Sequence, residues 1–366
     1  MRIPKTKIAI ISQTLGGGGV ERFAGLLSFI LNNLGFEVHN IILDEPQDYC
    51  YSGALLNLGS LPQHKNTLKR KFHKMMAMKR YLDNCGITAI IDNRTRSPLI
   101  REWFTRQVFG SREVYYMIHN YKLDNYLPKN GLLAKWLYKD AEKLICVSKA
   151  IEDEVKAKYH FKNTITIYNP INLSPKMVDD IVVFPEKYIL YFGRFDEKAK
   201  NFSLMLEAFA ISEIFKRGYF LLLMGEGADL DFIKSQISQR NLADYVKITP
   251  YQKNPFGVVK KSRYTILTSH FEGFPMAITE SLAVGTPVIA VDCNSGPREI
   301  IVDGQNGLLI ENYNATAFAR AMNRLIDDED LYQLCKSNAP KSVAHLSIEA
   351  ISEKWKEVLL DKNHAI

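Results

Sequence analysis

The sequence predicts an α/β protein built from two Rossmann-like domains. The chain has 366 residues, which is longer than one hydrophobic core usually grows, so two domains are expected. Short apolar runs typical of buried parallel strands alternate with segments whose apolar residues recur every three or four positions. Between Tyr168 and Pro185 this alternation breaks into polar, proline-marked sequence and then starts again, which indicates a linker. We therefore expect domains at 1–175 and 186–345, followed by a C-terminal helix within 346–366.

The first domain is predicted to open with a strand–helix–strand unit. A strand at Ile8–Ser12 leads through a glycine-rich loop into a segment with helical apolar spacing from Val20 to Leu34. Gly35 is expected to end that helix, because glycine readily adopts the left-handed conformation found after helix ends. Later short apolar runs predict further strands of a parallel sheet. The remaining predicted strands of this domain are Phe36–Leu43, Ala89–Ile91, Val114–Ile118 and Leu144–Ser148.

The second half repeats this alternation without repeating the sequence. Its predicted strands are Tyr188–Phe192, Phe220–Met224, Val246–Thr249, Thr265–Ser269, Val288–Val291 and Leu308–Ile310. After them, apolar residues from Ile348 to Leu359 follow helical spacing and give one apolar stripe. We expect this last helix to pack back toward the first domain and to brace the two domains.

Composition restricts the class of protein. With 46% apolar and 24% charged residues, the chain is typical of globular proteins rather than of fibres or disordered chains. No apolar run approaches the roughly 18–20 residues of a membrane-spanning helix, and the N-terminal segment does not resemble a signal peptide. The five cysteines are scattered without a CxxC pair, so neither a disulfide framework nor a zinc site is indicated. We expect a cytoplasmic protein.

Positive charge is concentrated in the first half. The formal net charge is +7, and residues 1–180 hold 26 Lys and Arg against 17 Asp and Glu, whereas residues 181–366 hold 21 against 23. Residues 65–80 carry seven Lys and Arg and no acid, with apolar residues at helical spacing between them. This pattern predicts a basic amphipathic helix. It is either an ordinary solvated helix face or a peripheral contact with anionic lipid or a lipid-linked diphosphate at the inner face of the plasma membrane. No nucleic-acid-binding motif accompanies it.

The segment EGFPMAITE contains two glutamates, Glu272 and Glu280, on either side of a predicted helix start. Pro275 suits the first turn of a helix, where its missing N–H costs nothing. The unpaired N–H groups and the dipole at a helix N-terminus attract a diphosphate. Glu280 could accept hydrogen bonds from ribose hydroxyls, and Glu272 would lie toward the other end of a nucleotide-sugar. From spacing alone, the favoured interpretation is that Glu280 is a solvated helix residue and Glu272 a charge on the loop surface.

A family resemblance sharpens this interpretation. The pattern E-G-F-P-x-x-x-x-E after a short strand, followed by S-L-A-x-G-x-P-V-I-A, is similar to the signature of the retaining GT-B glycosyltransferases of family 4, also called glycosyl transferases group 1. The resemblance implies two domains that face each other across a cleft, with the acceptor in the first and the nucleotide-sugar donor in the second. It implies donor contacts from Glu272, Gly273, Phe274, Pro275, Met276, Ala277 and Glu280.

Three further motifs resemble the same family. GRFDEKAKN at 193–201 implies that Arg194 and Lys200 hold the diphosphate, with Lys198 as a competing candidate for the lysine. LGGGGVER at 15–22 resembles the first strand-to-helix loop and implies donor contacts from Gly18 and Gly19; it lacks the GxGxxG register of a dinucleotide-binding loop. MIHNY at 117–121 places a histidine after a strand, where the family histidine faces the transferring sugar carbon. The implied catalytic set is His119, Arg194, Lys200 and Glu272.

The resemblance implies a retaining, metal-independent transfer of a hexose or N-acetylhexosamine. The donor is expected to be a UDP-sugar acting as co-substrate, with no cofactor and no metal, since none of the motifs that carry the resemblance contains a DxD triplet or a His/Asp cluster. The acceptor is expected to be a hydroxyl of a saccharide or lipid-linked saccharide in lipopolysaccharide, O-antigen or capsule biosynthesis. Two alternatives stay open: a nucleotide-sugar epimerase or phosphorylase on the same fold, and a non-catalytic sugar-nucleotide-binding module of an envelope assembly complex.

Overall fold

The computed structural model describes residues 6–62, 66–96, 99–175 and 185–360. Two compact units are present: one comprises the described residues up to Pro170 together with those from Ile348 onward, and the other runs from Ile171 to Ser347. The predicted linker boundary between 175 and 186 stays a prediction, because residues 176–184 lie outside the described residues.

The first unit contains a seven-stranded sheet whose strand pairs are all parallel. Its strands are β1 (Lys7–Ser12), β2 (Glu37–Ile42), β3 (Ala54–Asn57), β4 (Ala89–Asp92), β5 (Glu113–Ile118), β6 (Lys143–Cys146) and β7 (Thr164–Thr166). The spatial order is β3-β2-β1-β4-β5-β6-β7. Strand order therefore reverses between β1 and β4, and such a reversal creates a crevice beyond the carboxyl ends of these two strands.

Helices follow most strands of the first sheet. They are α1 (Gly19–Asn33), α2 (Thr67–Asn84), α3 (Leu99–Phe109), α4 (Gly131–Leu137) and α5 (Lys149–Tyr159). The predicted basic amphipathic segment corresponds to α2, although Lys65 lies outside the described residues. Asn66 caps this helix by accepting hydrogen bonds from the backbone N–H groups of Leu68 and Lys69, which leaves fewer of the first N–H groups unpaired.

The second unit contains a six-stranded sheet, also parallel throughout. Its strands are β8 (Tyr188–Phe192), β9 (Phe220–Met224), β10 (Val246–Thr249), β11 (Thr265–Leu267), β12 (Val288–Val291) and β13 (Gly307–Ile310). The order is β10-β9-β8-β11-β12-β13, so the reversal here lies between β8 and β11. Strand β8 is buried at every residue, as expected for a strand covered on both faces.

The helices of the second unit cover both this sheet and its loops. They are α6 (Glu197–Lys200), α7 (Phe202–Ser212), α8 (Leu230–Gln239), α9 (Phe256–Lys261), α10 (Met276–Ala283), α11 (Pro297–Ile300), α12 (Ala315–Asp327) and α13 (Glu329–Ser342). The chain then forms α14 (Ile348–Leu360), which belongs to the first unit and packs against α1. Its residues Ile351, Trp355 and Leu359 are buried, which agrees with the predicted apolar stripe.

The predicted α/β architecture is confirmed, and all eleven predicted strands are present. Two strands were not predicted, β3 and β7, and both lie at the edges of the first sheet. Their residues are only partly buried, because an edge strand has one neighbour instead of two. In β7 (TIT) there is no continuous apolar run, which is the signal that identified the others, and in β3 (ALLN) the run is three residues long and contains no β-branched residue. Within the described residues, no helix is long and apolar enough to cross a membrane.

Candidate active site

The candidate donor site in the second unit lies at the point where strand order reverses. Strands β8 and β11 are neighbours, and the loops that follow them diverge at their carboxyl ends, where ligands bind in sheets of this kind. The loop after β8 carries Arg194 and leads into α6, which ends at Lys200. The loop after β11 carries Ser269 and Glu272 and leads into α10.

An ion pair joins these two loops. Lys200 Nζ lies 2.6 Å from Glu272 Oε1, and the Ser269 hydroxyl donates to the same carboxylate oxygen at 2.6 Å. Both charged side chains are largely shielded from solvent, at 22% and 12% exposure. A charge-assisted hydrogen bond in such a position is stronger than one at an open surface. The structure thus brings together two residues predicted from motifs that are 72 positions apart.

Hydrogen bonds to main-chain carbonyls hold the same loops together. The N–H of His270 donates to the carbonyl of Ala199 at 2.9 Å, and the Thr268 hydroxyl donates to the carbonyl of Lys200 at 2.9 Å. On the other side, the N–H of Glu272 donates to the carbonyl of Asn294 at 3.2 Å. All three acceptors and two of the three donors are main-chain groups, so the positions of Lys200 and Glu272 depend mainly on the fold and on the Thr268 hydroxyl.

The start of α10 differs slightly from the prediction. Pro275 is the N-cap residue, with ψ 99°, rather than part of the first turn, and the helix begins at Met276. Pro275 packs against Gly296, whose φ is +94° and where an added Cβ would lie 2.4 Å from the proline ring. The hydroxyl of Ser295 donates to the Gly273 carbonyl at 2.7 Å. The segment before the helix is therefore held by backbone packing against the loop at 295–296.

This helix N-terminus can bind an anion. Met276 and Ala277 are half-buried, whereas Gly273 and Phe274 before them are buried. The first N–H groups of a helix have no intrahelical acceptor, and no side chain caps α10. Partial positive charge is therefore available at a partly accessible place beside the Lys200–Glu272 pair.

The other predicted residues of this unit differ in exposure. Arg194 is exposed, and its backbone carbonyl accepts a hydrogen bond from the buried Tyr191 hydroxyl at 2.8 Å. Lys198 is also exposed, unlike Lys200. Glu280, in contrast, is only 5% exposed within α10. A carboxylate is seldom this buried unless it is paired, so the surface-charge interpretation of Glu280 is wrong.

Cys293 lies near the same pair but is not activated as a nucleophile. Burial, together with the negative charge of Glu272, raises the pKa of this thiol to about 12. Because the thiolate is the nucleophilic form, Cys293 stays protonated at neutral pH and is excluded as a nucleophile.

In the first unit, the predicted glycine loop forms the start of α1. Gly17 has φ +87°, Gly18 is the N-cap residue and Gly19 is the first helical residue. Gly18 is half-buried and Gly19 is exposed. No side chain caps this helix either, so its first N–H groups are available to an anion or a polar ligand.

His119 is tied to this loop through Asn93. Directly after β5, its Nε2 hydrogen-bonds the Asn93 side-chain oxygen, and the Asn93 amide donates to the carbonyl of Val20 at 3.2 Å and to the Ser12 hydroxyl at 3.3 Å. The Phe23 ring packs edge-on against the imidazole, with centroids 5.2 Å apart. Asn93 therefore connects His119 to Val20, the residue that follows the predicted Gly18 and Gly19 in the sequence.

The imidazole of His119 is neutral at physiological pH. Burial, and then the positive charge of Arg96, lowers its pKa to about 3. A neutral ring cannot act as an acid through an imidazolium, but it can present a hydrogen-bonding face to a ligand.

A buried ionic group at the end of β4 was not predicted from the sequence. Arg94 forms two hydrogen bonds with the Asp92 carboxylate, at 2.7 and 2.8 Å. Arg96 donates to the Met117 carbonyl at 2.9 Å and lies between aromatic rings. The guanidinium carbon is 5.0 to 5.7 Å from the ring centroids of Tyr116, Tyr126 and Tyr138. The available signal was the charged run DNRTR directly after the predicted strand Ala89–Ile91.

Two glycines that allow close contact between backbone segments, Gly225 and Gly227, were also not predicted from the sequence. A Cβ at Gly225 would lie 1.9 Å from the Gly193 carbonyl oxygen, and one at Gly227 would lie 2.2 Å from that of Phe195. These glycines let the loop after β9 pack directly on the loop that carries Arg194. The Gly-Glu-Gly sequence after a predicted strand was the available signal. Within the described parts of the chain, no cluster of three or more His, Cys, Asp or Glu could hold a metal ion.

Comparison with known proteins identifies two family matches. Residues 182–342 match the family "Glycosyl transferases group 1", and residues 17–175 match "Glycosyltransferase Family 4". Among curated proteins, the chain is 29% identical over 351 residues to the N-acetylgalactosamine-N,N'-diacetylbacillosaminyl-diphospho-undecaprenol 4-alpha-N-acetylgalactosaminyltransferase of Campylobacter jejuni, covering 91% of this chain and 93% of that protein. It is 23% identical to the amylovoran biosynthesis glycosyltransferase AmsD of Erwinia amylovora, covering 96% and 99%.

The fold has close structural counterparts. A TarM variant from S. aureus, solved with fondaparinux, alpha-GlcNAc-glycerol and UDP, superposes with a TM-score of 0.79 at 14% identity, covering 96% of this chain and 99% of that one. Because the two family matches span both units and the sequence relatives are bacterial glycosyltransferases of cell-surface polysaccharide synthesis, this chain belongs to the GT-B glycosyltransferases of group 1.

Proposed function

We propose that this glycosyltransferase moves a hexose or N-acetylhexosamine from a UDP-sugar to a hydroxyl of a saccharide or lipid-linked saccharide, with retention of configuration, in bacterial cell-surface polysaccharide synthesis. The observation that carries the proposal is the Lys200–Glu272 ion pair beside the N-terminus of α10. A cation, a carboxylate and helix N–H groups thus lie together where strand order reverses between β8 and β11. These are the groups that a sugar diphosphate requires.

The donor would occupy the second unit. Arg194, Lys200 and the N–H groups of Met276 and Ala277 bind the diphosphate in this proposal, and the buried Glu280 accepts hydrogen bonds from the ribose. The choice of UDP is supported by TarM, whose structure was solved with UDP. We further propose that no metal or cofactor takes part, because fixed cations and helix N–H groups can meet the charge on the leaving diphosphate.

Donor binding should change the partners of the ion pair. Without donor, Glu272 neutralises Lys200 at 2.6 Å. A diphosphate near the helix N-terminus would compete for the lysine ammonium, and the released Glu272 carboxylate would then accept hydrogen bonds from sugar hydroxyls. The exchange keeps both charges compensated, which limits the cost of having them in a shielded place.

The transfer itself would depend on stabilising the leaving group. The bond between the anomeric carbon and the diphosphate oxygen breaks, and the oxygen leaves with the electron pair toward Lys200 and Arg194. The acceptor hydroxyl oxygen bonds to the same face of that carbon and gives its proton to the departing phosphate oxygen. An α-linked donor thus yields an α-linked product, in agreement with the "4-alpha" linkage in the name of the Campylobacter relative.

The first unit would bind the acceptor. In this proposal, neutral His119 and the N–H groups at Gly18 and Gly19 supply the hydrogen-bonding groups of this unit. A lipid-linked acceptor is supported by the same Campylobacter relative, whose name includes diphospho-undecaprenol.

A panel of nucleotide-sugars tests the proposal. A matching UDP-sugar should raise the melting temperature, since ligand at 100 times its Kd stabilises the folded state by about 2.7 kcal/mol. UDP release should depend on an added acceptor, and NMR of the product should show the anomeric configuration of the donor. The proposal fails if UDP-sugars neither stabilise the protein nor are consumed. Stabilisation without transfer to any acceptor would favour a binding module, and interconversion of the free nucleotide-sugar would favour an epimerase.

A further inference from the structure

We propose that the outer face of helices α2, α3 and α4 docks this protein on the surface of an anionic lipid bilayer. We call this surface the α2–α4 face. It goes beyond the proposed function, since it does not depend on the identity of the donor, and it extends well outside the basic segment that the sequence singled out.

The three helices form one layer on one side of the first sheet. They connect β3 to β4, β4 to β5 and β5 to β6, and these crossovers advance in one direction across the sheet. Because such crossovers are right-handed, helices that advance in one direction lie on the same side. Helix α2 packs against α3, and Arg106 of α3 donates to the Trp136 carbonyl of α4 at 3.2 Å. The layer is therefore continuous from α2 to α4.

Large apolar side chains project from each of these helices into solvent. Leu68 and Phe72 of α2 are 77% and 63% exposed, and their spacing of four puts them on one helix face. Leu132 and Trp136 of α4 have the same spacing, with Leu132 80% exposed. Trp103 and Phe104 of α3 are also exposed and pack edge-on against each other.

This concentration is unusual within the unit. Among the residues described for the first unit, eight large hydrophobic side chains are exposed, and six of them belong to the α2–α4 face; the other two are Phe29 and Leu360. Isolated exposed apolar residues are common, but a cluster rimmed by charge marks an interaction surface.

The net positive charge of this face favours an anionic partner. Helices α2, α3 and α4 together carry nine Lys and Arg against two acids. One of those acids, Glu102, is buried and the other, Asp83, is paired with Lys79 and Arg112. The cations next to the apolar residues include the exposed Lys69, Lys71 and Lys135. A second copy of this chain would present the same positive face, and like charges in contact are unfavourable.

An anionic bilayer matches both features of the face. Basic residues are attracted to acidic headgroups, and tryptophan is favoured at the boundary between headgroups and acyl chains. Only Met78 and Leu82 of α2 are buried, so most of this helix is free to lie in the membrane interface with its apolar side chains inserted. Nucleic acid fits less well, because the two most exposed apolar residues of the face are Leu68 and Leu132, which offer no ring on which a base could stack.

Vesicle flotation of the full-length protein tests this docking face. Vesicles of phosphatidylcholine with 30% phosphatidylglycerol should bind the protein at low salt, and pure phosphatidylcholine vesicles should bind it far less. The double variant K69Q/K71Q should reduce the partition coefficient about 25-fold, since each charge near an anionic surface contributes about fivefold. Phe72→Ser should reduce it about tenfold through lost insertion of the ring.

Phe29→Ser is the matched control, since Phe29 is exposed on α1 and lies outside the face; its partition coefficient should equal that of the wild type. All variants should keep the wild-type melting temperature and the wild-type hydrolysis of a soluble UDP-sugar, which separates loss of docking from loss of folding or of the proposed function.

Three results would overturn the proposal. The first is equal binding to both vesicle types with no effect of K69Q/K71Q. The second is absence of vesicle binding together with tight binding of a 30-nucleotide RNA that these substitutions abolish. The third is absence of vesicle binding together with a dimer in light scattering that Phe72→Ser dissociates.

Discussion

At the scale of single residues, the structure distinguishes Lys200, a residue of the candidate donor site, from Lys198, an ordinary surface lysine two positions before it. Lys198 and Lys200 both lie in α6, but only Lys200 approaches Glu272, at 2.6 Å, while Lys198 is exposed. The motif alone did not distinguish them beyond their offset from Arg194. The ion pair is the physical reason to favour Lys200 for the leaving diphosphate.

Lys200→Ala should therefore lower kcat by about 100- to 1000-fold, the usual effect of removing one group that stabilises a developing negative charge. Lys198→Ala is the matched control and should stay within about twofold of wild type. Steady-state kinetics with the best UDP-sugar measures both values. If Lys198→Ala lowered kcat and Lys200→Ala did not, the role at the leaving diphosphate would belong to Lys198 instead.

Arg194 and Glu280 should affect different kinetic constants. Arg194→Ala should mainly lower kcat, because the guanidinium acts on charge that grows during bond cleavage. Glu280→Ala should mainly raise KM and the Kd for UDP, because ribose contacts are equal in the ground and transition states. Kinetics together with calorimetric titration of UDP separate the two effects, and wild-type constants in both variants would refute the two roles.

His119 should make stability depend on pH. Its folded pKa of about 3 lies below its ordinary value of 6.5, so between these values the unfolded chain binds a proton that the folded chain does not. Stability is therefore lost as pH falls below about 6.5, by about 2 kcal/mol between pH 7 and pH 5. His119→Gln should lack this loss, as measured by urea unfolding at both pH values. Equal losses in wild type and variant would show that His119 protonates normally in the folded state.

At the scale of secondary-structure elements, the placement of α10 depends on a glycine outside it. Gly296 contacts Pro275 directly before this helix and has φ +94°. Hydrophobic periodicity located the helix, but periodicity contains no information about which distant backbone supports its N-terminus. The same limit explains why Pro275 was assigned to the first turn although it is the N-cap residue.

Gly296→Ala should weaken both stability and donor binding. A backbone conformation with φ near +94° costs a non-glycine residue about 1 kcal/mol or more, and the added Cβ would also displace Pro275. Gly304→Ala is the matched control, because Gly304 has φ +71° but open space around its Cβ position. Thermal unfolding and UDP titration should show a larger loss for Gly296→Ala than for Gly304→Ala. Equal losses would mean that α10 does not depend on this contact.

At the scale of the whole molecule, the chain passes through the second unit and then returns to the first. Helix α14 follows the last element of the second unit in sequence, yet it packs with α1 in the first unit. Trp355 is completely buried there. The stability of the first unit therefore depends on residues at the other end of the sequence.

Trp355→Ala should destabilise the first unit by about 3–5 kcal/mol, the usual cost of truncating a buried tryptophan. Lys354→Ala, at the adjacent exposed position, should change stability by less than about 0.5 kcal/mol. Hydrogen exchange should show lost protection in β1 and α1 but not in β8 or β9. Lost protection confined to the second unit would contradict the grouping of α14 with the first.

The sequence by itself determined the α/β class, eleven strands, the family and the candidate residues. It could do so because buried parallel strands are continuous apolar runs, and because the donor motifs are short segments whose spacing is local. Tertiary structure alone decided that Lys200 meets Glu272, that His119 is held neutral by burial and by the charge of Arg96, and that α14 packs against α1. It also revealed that exposed apolar residues from three helices share one basic face. These features join residues far apart in sequence, and only the packed chain brings such residues within hydrogen-bonding or van der Waals distance.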